Sequence, residues 1–293
     1  MSLDLLVRNG ADELVRSWPA EPRLTRRPNT HLERAVTMGL LDSYIDHGLL
    51  AAQHVAVVKD GQAAHPGRYS RDGAVRAERL RALFDEGFTI NLRELQLRMP
   101  YLAEMSTRIR DETGYPNHVS AIITPPGERG LAHHWDQFTG IVTQLAGHKR
   151  WQLWRPVVEH PTGEYLASPD LWNPELQKRL ENSPPDAEFE LVPGDTLLLP
   201  RGWLHNPFSV GVETSLHLTF AVKERTWLWL AQQLLGMAVH DTSFRREMPP
   251  GAHRSGLASE IGTAAAMAIG FLNRLDPIAA EEWVRGQATA DGP

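Results

Sequence analysis

Apolar residues recur at two different periods along this chain, and the changes between them mark three stretches. In the first, Leu32, Ala35, Val36 and Leu40 fall at helical spacing and predict a helix over Leu32 to Leu41. A Pro-rich stretch, Ser17 to Asn29, precedes it. The β-branched run Gln53 to Lys59, closed by Asp60-Gly61, predicts a strand and a turn. Residues 74–87 predict a helix with Val75, Leu80, Leu83 and Phe84 as its stripe, followed by a strand from Phe88 to Leu92. Pro100 to Thr113 predicts a further helix, because proline is tolerated in a first helical turn.

From His118 to about Lys223 the period shortens to two. Strands are predicted at Val119 to Thr124, His133 to Phe138, Ile141 to Leu145, Lys149 to Trp154, Phe189 to Val192, Thr196 to Leu199 and Ser215 to Val222. Many short strands divided by Gly, Pro and Asp imply a barrel or two-sheet jelly roll. A polar, Pro-rich insertion from Pro156 to Pro185 interrupts them and is expected to cover one end. After Glu224 the helical period returns, in Trp227 to Val239 and in the Ala-rich Ala258 to Leu275, with Ala288 to Pro293 as a frayed tail. The fold class is therefore α+β, a barrel or two-sheet jelly roll with helical regions on either side. Its expected domains are residues 1–117 (an N-terminal α/β region supporting the barrel), 118–223 (the barrel core) and 224–293 (a C-terminal helical bundle).

Composition narrows the function classes. The 293 residues are 42% hydrophobic and 23% charged with a formal net charge of −6, ordinary for a globular chain and adverse to long phosphate-backbone contacts. The run Arg23-Leu24-Thr25-Arg26-Arg27 is a candidate basic patch, but a strand edge is the preferred reading. No direct nucleic-acid binding is expected. The chain has no cysteine, which removes disulfides, thiolate metal sites and cysteine nucleophiles. Met1 to Leu6 lacks the pattern of a signal peptide, and no apolar run approaches the ~20 residues that span a bilayer. A cytoplasmic protein without membrane contact is expected.

The chemistry gathers at His134-Trp135-Asp136. In a strand, residues i and i+2 point to one face, about 7 Å apart, so an imidazole and a carboxylate can share one metal ion. Well downstream, Pro193-Gly194-Asp195 opens a strand that ends in Pro200-Arg201-Gly202-Trp203-Leu204-His205, where a tight turn delivers a third imidazole. Two histidines and one carboxylate on one octahedral face leave positions open, the arrangement of non-haem Fe(II) oxygenases. Those positions can take a keto-acid chelate and O2. Alone, His-x-Asp is a weak signal, more often surface polarity than a site. Strand alternation chooses His134 over His133, which should point away from Asp136.

At these residues the sequence resembles the cupin-like JmjC oxygenases of the ribosomal-oxygenase type. The likeness runs through Ser120 to Gly127, Gly130 to Asp136, Gln144 to Trp151, Pro193 to Asp195 and Pro200 to His205, with a looser likeness on both sides. It implies a double-stranded β-helix, the cupin-like jelly-roll barrel, and an Fe(II)- and 2-oxoglutarate-dependent dioxygenase with His134, Asp136 and His205 as iron ligands. A basic residue fifteen positions after the first His, here Lys149, would pair with the distal carboxylate of 2-oxoglutarate. The strand pattern agrees, since Lys149 shares a face with Trp151 and Leu153, where a cation needs an anionic partner. Ser120 stands where some members carry a cosubstrate-contacting Asn. A winged-helix domain found in some members is expected to be absent here. The helical region mediates dimerisation in relatives and implies a homodimer.

The resemblance also implies hydroxylation of a C–H bond on a peptide or protein side chain, ribosomal or from a biosynthetic peptide. Rival readings are a small-metabolite hydroxylase, a metalloenzyme of another reaction type and a non-catalytic metal-binding module. In Ser215 to Val222, one face carries Ser215, His217, Thr219 and Ala221. If the other face packs against helices, His217 looks into the barrel, as a cosubstrate contact or a hydrogen-bonded core histidine. Asn206 is expected to stabilise a turn, Arg201 to serve one, and Trp135 to pack in the core.

Overall fold

The computed structural model describes residues 2–7, 10–26, 30–162 and 173–290. Its contacts divide the chain into two units, Met1–Glu224 and Arg225–Gly292. In the first unit the strands are β1 (Arg23–Thr25), β2 (Val55–Lys59), β3 (Gln62–Ala63), β4 (Ser70–Arg71), β5 (Ala74–Val75) and β6 (Thr89–Leu92). The barrel proper adds β7 (Asn117–Thr124), β8 (Thr139–Ala146), β9 (His148–Trp154) and β10 (Ala187–Leu191). It is completed by β11 (Thr196–Leu199), β12 (Leu204–Val210) and β13 (Ser215–Val222).

An eight-stranded sheet runs in the order β1-β11-β8-β13-β7-β6-β2-β3, and a three-stranded sheet in the order β10-β9-β12. Alternation assigns the two faces of the large sheet. On β13, Leu216, Leu218, Phe220 and Val222 are buried with the residues of the N-terminal helices, among them Leu3, Leu102 and Ile109. Burying side chains of this size stabilises by roughly 1.5–3 kcal/mol each. The alternate residues turn inward. Cross-strand pairs Thr124↔Ser215, Ile122↔His217, Ser120↔Thr219 and His118↔Ala221 put four neighbouring rows on one face, and Asn91 extends the second row through Ile122. Between the two sheets, Val142, Leu197 and Leu199 pack on Trp151, Leu153, Leu191 and Trp203.

Several predicted elements take a different form. Leu32 to Leu41 is two helices, Thr30–Ala35 and Met38–Asp46, because the Thr37 hydroxyl accepts from Leu40 N at 3.2 Å and caps the second. The helix expected over 74–87 is Ala77–Asp85, with Ala74–Val75 in β5. The segment His133 to Phe138 is not a strand. A single bridge, His134↔His205, ties it to β12, with Asp136 O accepting from Gly202 N at 2.9 Å. The ladder stops there because Trp203 N turns back to Pro200 O. Asn206 lies inside β12 rather than in a turn; Pro207 is accommodated because β12 is an edge strand.

Arg23 to Thr25 form edge strand β1, with Arg23 paired to Glu13 and Arg26 to Asp195 at 2.8 Å, while Arg27 lies outside the described residues. In the insertion, helix Pro174–Glu181 buries Leu180 against Trp135, Trp154 and Leu204; residues 163–172 lie outside the described set. The unit Arg225–Gly292 holds helices Trp227–Gly236, Leu257–Leu272 and Pro277–Ala290. The third takes up Ala288 to Ala290 of the expected tail, and the rest of that tail lies outside the described residues. No helix among the described residues is long and apolar enough to cross a membrane.

Candidate metal centre

A cavity of about 690 Å³ opens between the inward face of the large sheet and the three-stranded sheet. His134, Asp136 and His205 meet in its wall, with one ligand atom from each within 4.8 Å of the others. The local backbone explains the meeting. The bridge between His134 and His205 is closed by two hydrogen bonds, His205 N to His134 O at 2.8 Å and the reverse at 3.2 Å. It sets the two imidazoles 4.0 Å apart by ring centroid. Asp136 follows two residues later, with its Oδ2 at 3.5 Å from His205 Nε2.

The donor set fits a divalent iron. Each histidine hands its Nδ1 hydrogen to a backbone carbonyl, His134 to Ala132 O at 2.8 Å and His205 to Trp203 O at 2.9 Å. That tautomer leaves both Nε2 lone pairs facing the cavity, the usual way in which outer hydrogen bonds orient metal-binding imidazoles. Burial holds His205 neutral, well below the usual imidazole range. Burial also raises the Asp136 carboxyl, opposed by His134, so the carboxylate is short of a countercharge. Among the described residues, this is the only group of three or more His, Asp or Glu close enough to hold one ion.

Lys149, Ser120 and His217 line the same cavity. Lys149 is 2% exposed, and its Nζ donates to Thr124 Oγ1 at 2.8 Å. Burial pushes its ammonium down to about 7. Ser120 and His217 stand on the opposite wall, and Nδ1 of His217 is buried without a hydrogen-bond partner. Burial, reinforced by the charge of Lys149, lowers the His217 pKa well below the usual range. His133 faces away, stacked at 4.9 Å on Trp154, and Trp135 is buried in the cluster with Leu180 and Leu204. Arg201 contributes its backbone N–H to Thr139 Oγ1 at 3.4 Å. Asn206 is 5% exposed with an unpartnered Oδ1.

Three residues were not anticipated. Thr124 accepts from both Lys149 and Thr89, the latter at 3.2 Å, and so ties the lysine to the large sheet. Its place four residues after Ser120 on β7 is a signal that alternation alone supplies. Trp151 is more than the apolar neighbour of Lys149 that strand alternation predicts. It packs between His205 and His217, and its buried Nε1 lacks an acceptor. Asn91 reaches the cavity only through the β6–β7 register, which no local pattern announces.

Comparisons with known proteins agree with this geometry. Residues 97–230 match the JmjC domain. The chain is 25% identical over 248 residues to a bifunctional lysine-specific demethylase and histidyl-hydroxylase NO66 of Culex quinquefasciatus, covering 82% of this chain and 37% of that protein. It is 32% identical over 152 residues to human ribosomal oxygenase 1, covering 48% of this chain and 22% of that one. It thus spans well under half the length of these curated relatives. Among solved structures, Escherichia coli YcfD superposes with a TM-score of 0.59 at 14% identity, covering 97% of this chain and 72% of that one. A second YcfD structure, in complex with cobalt and 2-oxoglutarate, gives 0.57 at 15% identity, with 95% and 70% covered. The barrel is thus a cupin-like fold, and residues 97–230 of this chain carry a JmjC domain.

Proposed function

We propose that this chain is an Fe(II)- and 2-oxoglutarate-dependent oxygenase that hydroxylates a C–H bond on a protein or peptide side chain. The observation that carries the reading is the presence of two Nε2 atoms, one carboxylate and one buried lysine in a single cavity. His134, Asp136 and His205 hold the iron, and Lys149 neutralises the distal carboxylate of 2-oxoglutarate. Ser120 and His217 contact the cosubstrate from the facing sheet. Iron with 2-oxoglutarate and O2 supplies an oxidant strong enough for an unactivated C–H bond, converting the cosubstrate to succinate and CO2.

The chain's own part is placement and exclusion of water. The carbonyls of Ala132 and Trp203 fix both imidazole planes before metal arrives. Lys149 and Thr124 offer N–H and O–H donors at the closed end, where Thr124 and Ser215 are fully buried. The remaining volume toward Phe138 and Ala221 admits a side chain. A protein substrate is supported by the relatives called histidyl-hydroxylase and ribosomal oxygenase. We place the protein in the cytoplasm, and a ribosomal protein is the first substrate to try.

We also propose a homodimer through the C-terminal helices. None of their residues is buried, and Trp227, Ile261, Ile269 and Ile278 are exposed. Sedimentation at micromolar concentration should return twice the chain mass, and a monomer would end that part. For the activity, 2-oxoglutarate is titrated anaerobically into the Fe(II)-loaded protein while the weak visible charge-transfer band of a keto-acid chelate is followed. Its appearance supports the reading. Its absence in protein holding one iron per chain refutes it.

A further inference from the structure

The four inward rows run from a closed end at Thr124 and Ser215 to an open end at His118 and Ala221. Beyond the last row, the chain leaves β6 at Arg93 and Glu94, enters β2 from His54, and leaves β13 at Lys223. All four residues line the cavity. Glu94 adopts a left-handed backbone (φ 55°, ψ 40°), uncommon outside glycine and asparagine. Its carboxylate is engaged by His54 Nδ1 at 2.9 Å, and His54 Nε2 in turn meets Gln53 at 3.1 Å.

Arg93 and Lys223 differ from most cations of this unit. Arg23, Arg26, Arg68, Arg81, Arg129 and Arg155 each hold a carboxylate. Among the described residues, the side chains of Arg93 and Lys223 have no such partner, although both stand on the lip of a cavity. Their charges converge on His118, which desolvation and then Lys223 and Arg93 hold neutral, with a pKa of about 4, against the opposing pull of Glu94. Glu94 and Asp136 are the only carboxylates among the cavity-lining residues. With a divalent metal and a dianionic cosubstrate in place, the charges around Asp136 and Lys149 cancel. The lip then sets the sign of the potential met by an incoming side chain.

Resting on the oxygenase reading above, we infer that the side chain admitted to the metal is a carboxylate, Asp or Glu of a peptide segment, held by Arg93 and Lys223. A guanidinium or ammonium entering the same opening would meet two cations against one carboxylate, Glu94, that His54 already engages, so the balance of the lip opposes it.

The test uses the full chain loaded with Co(II) and 2-oxoglutarate. The probes are fluorescein-labelled Gly/Ser peptides with a single central Asp or a single central Arg, and binding is read by anisotropy. The Asp peptide should bind at least ~10-fold more tightly, and the preference should shrink with added salt. Arg93→Glu and Lys223→Glu change exposed side chains and should each shift the Asp-to-Arg ratio by on the order of 10-fold toward Arg. Circular dichroism checks that both variants fold. Equal binding, no binding, or a preference for Arg in wild type overturns the inference, as does an unchanged ratio in folded variants. Failure of wild type to take up 2-oxoglutarate would instead strike the oxygenase reading.

Discussion

Replacing Lys149 by methionine should stabilise the ligand-free protein and disable it. Lys149 is 2% exposed, and among the described residues its hydrogen-bond partner is Thr124 Oγ1 at 2.8 Å. Burial depresses its pKa from 10.5 to about 7, so the unfolded chain binds the proton more readily than the folded one between those values. Stability therefore rises with pH across the window from about 7 to 10.5 and is lowest below it. The full shift corresponds to roughly 5 kcal/mol, an upper bound because internal water relaxes the penalty. Methionine fills similar volume without the charge. Lys149→Met in the presence of a chelator should thus gain roughly 2–4 kcal/mol at pH 7, and the gain should shrink toward zero near pH 10.5. Urea unfolding of both proteins at the two pH values measures the difference, in which all other titrating groups cancel. The same variant should bind 2-oxoglutarate at least ~100-fold more weakly, since a carboxylate would be buried without its cation. A variant less stable than wild type at pH 7 without ligand, or one that binds 2-oxoglutarate normally, would refute the reasoning.

Other substitutions probe the rest of the site. His134→Ala or Asp136→Ala should lose stoichiometric Co(II) binding by calorimetry while the circular dichroism spectrum stays unchanged. Trp151→Phe keeps the packing against His205 and His217 but removes the unpartnered Nε1–H. It should raise the KM for 2-oxoglutarate by roughly 5–10-fold with kcat little altered, the cost of one hydrogen bond to a charged group. Thr124→Val should do the same while lowering the pKa of Lys149 further, visible as an earlier loss of 2-oxoglutarate affinity with rising pH. Trp135→Ala opens a cavity beside Leu180 and Leu204 and should cost about 3–5 kcal/mol in urea unfolding.

How much of this was legible beforehand differs between elements for physical reasons. Thr196–Leu199 and Ser215–Val222 were bounded correctly from the sequence, because each is closed by Gly, Pro or charged residues and the latter alternates without a break. Pro100–Thr113 was bounded correctly too, by a proline at its start and Gly114 at φ 74° after its end. β12 was missed because Asn206-Pro207 reads as a turn, and only its position on a sheet edge permits the proline. The prediction of a strand at His133 to Phe138 failed for the opposite reason. The segment has a strand's composition, but among the described residues one bridge is the whole of its pairing. His134 and Asp136 still converge, because backbone hydrogen bonds from Gly202 and His205 hold the two ends of that short stretch in register. The closeness of His134 and Asp136 could therefore be read from spacing although the element carrying them could not.

The distribution of the candidate groups between the two sheets has a consequence for how the site tolerates change. His205 and Lys149 belong to the three-stranded sheet, on the face that also carries Trp151 and Leu153, and His134 is bridged to the same sheet through β12. Ser120, Thr124 and His217 belong to the large sheet. The separation between the two sets is fixed by the side chains packed between the sheets, Val142, Leu197 and Leu199 against Trp151, Leu153 and Trp203. Lys149 crosses that gap to reach Thr124, so it is at once the cation at the closed end and a tie between the sheets. Close-packed interiors transmit small volume changes rather than absorbing them. An inter-sheet truncation such as Leu199→Ala should therefore weaken 2-oxoglutarate binding more than Co(II) binding, because the metal-facing groups move together with one sheet while the anchor depends on both. Calorimetric titration of the two ligands into that variant decides it: equal losses would mean that the sheets do not set the spacing of the anchor.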